Sequence, residues 1–250
     1  MLTRNTLKLI KSLQQKKHRR EHGLFVVEGG KSVQEVLASE WPVQSVYCTE
    51  AYLPQLVPWL QQRALTPVLV KAAELAEMGS YEQNDSALAV LPVPPPLPLV
   101  VPDTGYALVL DDIRDPGNLG TILRAADWYG IRQIICSPET AELYNPKVIA
   151  ASMGSFLRVQ LHYTALPAFL ASRHGKAIYG AFLDGENVHR LSFADSGLLV
   201  IGNEAHGISA AVAAHVTDRV TIPRFGAAES LNAGVATAIL LDNVARQWRG

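Results

Sequence analysis

Cysteine is nearly absent from this 250-residue chain, which has 2, Cys48 and Cys136. They sit singly in the apolar stretches SVYC and QIIC, so neither a disulfide framework nor a thiolate metal site is at hand, and both read as buried strand residues. Charge is sparse as well. Charged residues make up 18% of the chain and nearly cancel to a formal net charge of -1, which excludes a uniformly basic coat for nucleic acid. No uninterrupted apolar run approaches the ~18 residues of a membrane-spanning helix, and the opening stretch MLTRNTLKLIKSLQQKKHRR lacks the apolar core of a signal peptide. The expectation is a cytosolic protein with no membrane partner.

Two nucleotide fingerprints are missing too: there is neither a phosphate-cradling GxxxxGK[ST] nor a GxGxxG after a strand. His162, His174, His189, His206 and His215 are scattered, with no second ligand at i+3 or i+4. A Ser-His-Asp or metal hydrolase therefore has no support, and no metal is expected. His206 lies inside a loop of interest, but a lone histidine there reads as a surface residue.

What the chain does have is apolar material, at 48% of residues, enough for one large or two modest cores. Composition breaks at LPVPPPLPLVVP, residues 91–102, where six prolines in twelve positions forbid helix and favour an extended, semi-rigid segment. The expected organisation is a small α/β domain over residues 1–95, a Pro-rich linker over 96–104, and a second domain over 105–250. In the second domain, apolar strands such as YALVLDD, QIIC, FLRVQ, AIYGAF, GLLVIGNE and RVTIP alternate with helical stretches, the pattern of a parallel sheet covered on both faces. Charge is uneven along the chain. Residues 1–31 hold eight Lys or Arg against Glu21 and Glu28, a net +6 (8 minus 2) suited to an anionic partner, or equally to a solvated helix face.

In parallel α/β sheets ligands bind beyond the C-terminal strand ends, so the loops there carry the functional information. Three are unusual. In LDDIRDPGNLGTILRAADWYG, residues 110–130, Asn118 is placed to cap a helix ending before Gly130, and Arg124 stands among apolar neighbours, as a functional cation or as a salt-bridged helix residue. In LLVIGNEAHGIS, residues 198–209, an apolar strand delivers Gly202, Asn203 and Glu204 to its mouth; a solvated turn is the plain alternative. In TIPRFGAAESLNAGVATAIL, residues 221–240, Ser230 is placed to cap the last helix, with Glu229, Leu231 and Asn232 crowding its first turn. Helix N-termini present unpaired N–H groups to electron-rich ligands. Capping accounts for one of these polar residues, not all of them.

Taken in order, Asn118-x-Gly120-xxx-Arg124, then Ile201-Gly202-Asn203-Glu204-xx-Gly207, then Ile222-Pro223 with Ser230-Leu231-Asn232, the chain resembles the SpoU/TrmH group of SPOUT RNA 2'-O-ribose methyltransferases over residues 106–248. FVVEGGKSVQEVL looks like the start of the ribosomal-protein-L30e-like substrate-binding domain that many members carry. The resemblance implies an α/β fold with a deep C-terminal trefoil knot, S-adenosylmethionine as cofactor, a homodimer whose interface adjoins the site, and RNA, above all ribosomal RNA, as partner. It places the cofactor against Gly202, Asn203, Ile222 and Leu231. It makes Arg124 essential, with Asn118, Glu204, Ser230 and Asn232 positioning it, the ribose and the methionine groups.

A ribose 2'-OH is a poor acid, so methyl transfer to it needs a base or a stabiliser of the developing alkoxide. The family mechanism proposes the arginine as base, yet a guanidinium stays protonated up to a pKa above ~12. Arg124 clamping the substrate phosphate, with that phosphate or a water taking the proton, is the other route. The 2'-OH target makes the partner RNA rather than DNA. Lys16, Lys17, Arg19 and Arg20 are the expected phosphate contacts. The competing readings are a tRNA 2'-O-methyltransferase, a base methyltransferase, and a non-catalytic RNA-binding or assembly factor on the same fold.

Overall fold

A computed structural model describes residues 2–99, 101 and 104–248, with only the backbone described for Trp248. Three positions of the expected 96–104 linker, Val100, Pro102 and Asp103, lie outside the described residues, as do Met1, Arg249 and Gly250 of the expected domains. The chain forms two compact units, Met1–Pro95 with Tyr144–Leu157, and Pro96–Leu143 with Arg158–Gly250. The division falls inside the proline cluster, where residues 93–99 have neither helix nor strand. Among the described residues no helix is long and apolar enough to cross a membrane.

The first unit begins with helices α1 (Arg4–Ser12) and α2 (Lys16–His22). It continues through β1 (Leu24–Glu28), α3 (Gly30–Ala38), β2 (Ser45–Cys48), α4 (Leu53–Gln62), β3 (Val68–Leu69), α5 (Ala72–Met78) and β4 (Ala87–Pro92). The strands lie in the order β1-β4-β2-β3, antiparallel except for the β2–β3 pair. All five β1 residues are buried, and Ile10 and Leu13 of the first helical segment pack with Val26, Leu75 and Leu88. Each such side chain removed from water contributes roughly 1.5–3 kcal/mol before entropy is set against it. Burial here includes charge: Glu28, 6% exposed, accepts from Ser80 N at 2.8 Å, Ser80 Oγ at 2.8 Å and Tyr81 N at 3.2 Å.

The second unit holds a six-stranded sheet in which every pairing is parallel, ordered β10-β8-β9-β5-β6-β7. Its elements are β5 (Gly105–Leu110), α6 (Pro116–Trp128), β6 (Gln133–Cys136), β7 (Gln160–Tyr163) and α8 (Leu166–Ala171), then β8 (Ala177–Asn187), β9 (Ser196–Ile201), α9 (Ala210–Ala213), β10 (Asp218–Thr221) and α10 (Ala233–Trp248). The central strands β5 and β9 are almost wholly buried, as their unbroken apolar sequences require. Cys48 and Cys136 are buried, and burial pushes both thiols up, so neither is a ready nucleophile.

Segment 144–157 departs from the sequence reading. FLRVQ does not form one strand: Ser155–Leu157 is a 3-10 helix and the strand starts at Gln160. Helix α7 (Pro146–Ser152) and this turn group with the first unit, where Tyr144 and Phe156 join Phe25 at ring-centroid separations of 4.6 and 6.1 Å, and Trp41 sits 5.7 Å from Phe156. An aromatic cluster between residues far apart in sequence has no local signature. The stretch ISAAVAAHV likewise yields only four helical residues.

Candidate functional site

The C-terminal mouth of the parallel sheet is built from the three loops. Pro116 supplies the first residue of α6, and Asp115 rather than Asn118 caps it, its Oδ1 accepting from Asn118 N at 2.8 Å. A proline at the first helical position moves the start three residues earlier than expected. Asn118 is thereby released from capping, and its side-chain amide is free to reach other loops. Likewise Asn232, not Ser230, caps α10: its Oδ1 accepts from Gly234 N at 2.9 Å and Val235 N at 3.3 Å. Ser230 and Leu231 precede the helix and are exposed.

These amides link the loops in series. Asn232 Nδ2 donates to Asn118 Oδ1 at 2.6 Å, and Asn118 Nδ2 donates to Glu204 Oε1. One residue from each loop is thus joined in a single directional chain, with the donors and acceptors of both amides matched. Glu204 keeps its second oxygen outside this chain.

Two residues absent from the expectations hold the middle loop in place. At the end of β5, Asp111 Oδ2 accepts from Ser209 N at 2.7 Å, and the Asp112 carbonyl accepts from Asn203 Nδ2 at 2.8 Å. Asp112 has a left-handed φ of 62°, sparsely populated for a residue with a side chain, and its Oδ1 accepts from Arg114 Nε at 2.6 Å. The signal was in the sequence as LDD, two acids after an apolar strand, but nothing local says which loop they face. Asn203 also accepts from Ala205 N at 2.8 Å, and its backbone pairs both ways with Gly207. Gly202 is obligatory, because a Cβ there would overlap the backbone of Gly207 and Ile208.

A cavity of about 670 Å³ opens at this mouth. Gly202, Asn203, Glu204, Ile222, Ser230 and Leu231 line it, six of the nine expected site residues in this unit. Asn118 and Asn232 do not line it but connect to it through Glu204. Arg124 is also outside the lining. It is exposed and has no hydrogen-bond or ion-pair partner among the described residues, so the salt-bridged alternative is not what the structure has. On the far wall, β8 pairs with β10 across a break in register: Arg219 faces Gly180 and Val220 faces Glu186, so residues 181–185 are pushed out. Phe182 of that excursion lies 3.6 Å under the Arg219 guanidinium, whose hydrogen bond to Asp184 holds that carboxyl below the usual carboxylate range.

The four expected phosphate contacts separate. Lys16, Lys17 and Arg20 are exposed, but Arg19 is 2% exposed and its Nη1 donates to Leu13 O and Gln14 O, both at 2.9 Å. Arg19 fastens the turn between α1 and α2 and is not on the surface.

An all-parallel α/β sheet whose strand-end loops close on an apolar-walled, acid-rimmed cavity defines a small-ligand-binding α/β domain. More specifically, the chain belongs to the SpoU rRNA Methylase family, whose model matches residues 105–242, while residues 4–89 match the MRM3-like substrate binding domain. It is 27% identical over 234 residues, 92% of each chain, to the 23S rRNA (guanosine(2553)-2'-O)-methyltransferase RlmP of Bacillus subtilis. Among solved structures it is similar to a TrmH-family protein of Porphyromonas gingivalis (TM-score 0.84, 37% identity, 99% of both chains). It is also similar to an AdoMet-bound rRNA methyltransferase of Sinorhizobium meliloti (TM-score 0.86, 27% identity, 98% of this chain and 96% of that one).

Proposed function

We propose that the chain is an S-adenosylmethionine-dependent RNA 2'-O-ribose methyltransferase acting on ribosomal RNA. The observation that carries the reading is the amide chain Asn232–Asn118–Glu204, which ties the three loops together at a cavity of suitable size. The residues suit the cofactor. Ile201, Ile222, Leu231 and Leu240 offer apolar wall for a purine, and Glu204 and Glu229 offer acceptors for cationic groups. S-adenosylmethionine when bound supplies an activated methyl group; the protein's part is to align the hydroxyl and handle its proton.

Arg124, exposed and with no ion-pair partner among the described residues, suits bidentate capture of the substrate phosphate beside the target ribose, leaving the phosphate or a water to accept the 2'-OH proton. Glu204, oriented by Asn118, faces the cavity as acceptor for ribose or methionine groups; Ser230 offers a hydroxyl with no hydrogen-bond partner among the described residues. Residues 1–95 serve as the RNA-binding, L30e-like domain and residues 105–250 as the methyltransferase domain. Lys16, Lys17 and Arg20 make salt-dependent phosphate contacts. The reading includes the deep trefoil knot and a homodimer in the cytoplasm. The exposed Trp128, at 84%, and Val235, at 47%, support a second copy against α6 and α10.

The test is incubation of the protein with labelled S-adenosylmethionine and ribosomal RNA, followed by nuclease digestion and mass spectrometry of the nucleosides. Label on a ribose 2'-oxygen is expected; label on a base, on transfer RNA alone, or nowhere would select the competing readings.

A further inference from the structure

Seven histidines occur in the chain, and the two nearest the N-terminus form a pair. His18 and His22 stand four residues apart on α2 with Glu21 between them, in the order His-x-x-Glu-His. On a helix that spacing puts all three side chains on one face. One ligand atom from each lies within 4.8 Å of the others: His18 Nδ1 is 3.2 Å from Glu21 Oε2, and the two imidazole rings run nearly parallel, at 20°, with centroids 6.3 Å apart. A tetrahedral ion with metal–ligand bonds of ~2.0–2.1 Å separates its ligands by roughly 3.3 Å. One edge of the triangle already has that length, and the others close by rotation of the half-buried His18 and the more exposed Glu21 and His22.

We propose that His18, Glu21 and His22 form a divalent transition-metal site of the zinc class that fastens α2. Three observations support the assignment. The donor set is two imidazoles and a carboxylate, which selects zinc, nickel or copper over calcium and magnesium. Lys16, Lys17 and Arg20 on the same short helix oppose any cation here, so the ion is held by coordination bonds to the imidazoles and not by net charge. Arg19, which follows His18 in the chain, is turned inward to the Leu13 and Gln14 carbonyls and does not add its charge to this face. A helix of seven residues is marginal by itself, so an ion bridging its successive turns holds a structure that the local sequence supports weakly. Three protein ligands leave a fourth position for water.

The test uses the tag-free full chain, titrated with Zn²⁺ by calorimetry and with Co²⁺ by visible absorption, with hydrogen exchange of residues 16–22 followed with and without Zn²⁺. One equivalent is expected to bind, with tetrahedral cobalt absorption and slowed exchange across α2. His22→Ala should lower affinity by more than about ten-fold, a loss seen even for residues that only orient a ligand. Glu21→Gln should lower it less, and His174→Ala, in an exposed turn of the other unit, should leave it unchanged. Absence of saturable binding overturns the proposal, as does one-equivalent binding that survives His18→Ala and His22→Ala. Binding without protection of α2 overturns the fastening role.

Discussion

Two arginines on helices of this chain have opposite fates. Arg19, in the first unit, is buried and committed to two backbone carbonyls; Arg124, in the second, is exposed and has no partner among the described residues. Two carboxylates repeat the contrast. Glu28 is buried beneath three donors from Ser80 and Tyr81, whereas Glu204 is exposed, holds one amide and turns toward a cavity. In the first unit the polar side chains complete the fold. At the sheet mouth of the second they are positioned by one another and left open, which is the condition for acting on something else. Satisfied buried groups contribute stability, and open convergent ones mark a site.

The contrast breaks most visibly at the arginines. Arg124→Ala is expected to lower methyl transfer roughly a hundred- to thousand-fold while changing unfolding free energy by less than about 0.5 kcal/mol. Arg19→Ala should do the reverse, costing about 2–4 kcal/mol in denaturant unfolding by leaving two carbonyls without their donor. Gly202→Ala places a methyl group in the Gly207–Ile208 backbone and should abolish measurable cofactor binding by calorimetry. Asn118→Ala, which cuts the amide chain in the middle, is expected to lower turnover about ten- to a hundred-fold at a stability cost near 1 kcal/mol, with Asn118→Asp no better because it cannot donate to Glu204.

The smallest effect concerns His162, whose pKa is lowered from its ordinary 6.5 by burial. The unfolded chain takes up that proton first. Stability is therefore full above pH 6.5, declines as pH falls through 6.5 toward the depressed folded value, and levels off below it. His162→Gln should flatten that part of the melting-temperature profile.

Most of the second unit was legible because its signals are local. Continuous apolar strands with intervening helices state a parallel sheet, and the residues of the three loops state where its mouth is. The caps were misplaced by three residues at α6 and two at α10, since Pro116 and Asn232 decide them through backbone geometry that Asp, Ser and Asn all satisfy in sequence. The amide chain could not be read, because its members are 86 and 114 positions apart. Burial of Arg19 was hidden for a related reason: in a run of basic residues, only the turn before the helix selects which one points inward. The aromatic cluster of Phe25, Trp41, Tyr144 and Phe156 likewise joins distant segments that no periodicity connects.

The central claim is that three loops joined through Asn118 hold a methyl donor while Arg124 acts only on the RNA. Calorimetric titration of S-adenosylmethionine into the native chain and into Arg124→Ala, paired with single-turnover methylation of ribosomal RNA by the same samples, tests it most directly. Equal cofactor affinity with turnover lost in the variant is the predicted result. Turnover retained without Arg124, or cofactor heat absent from the native chain, would contradict it.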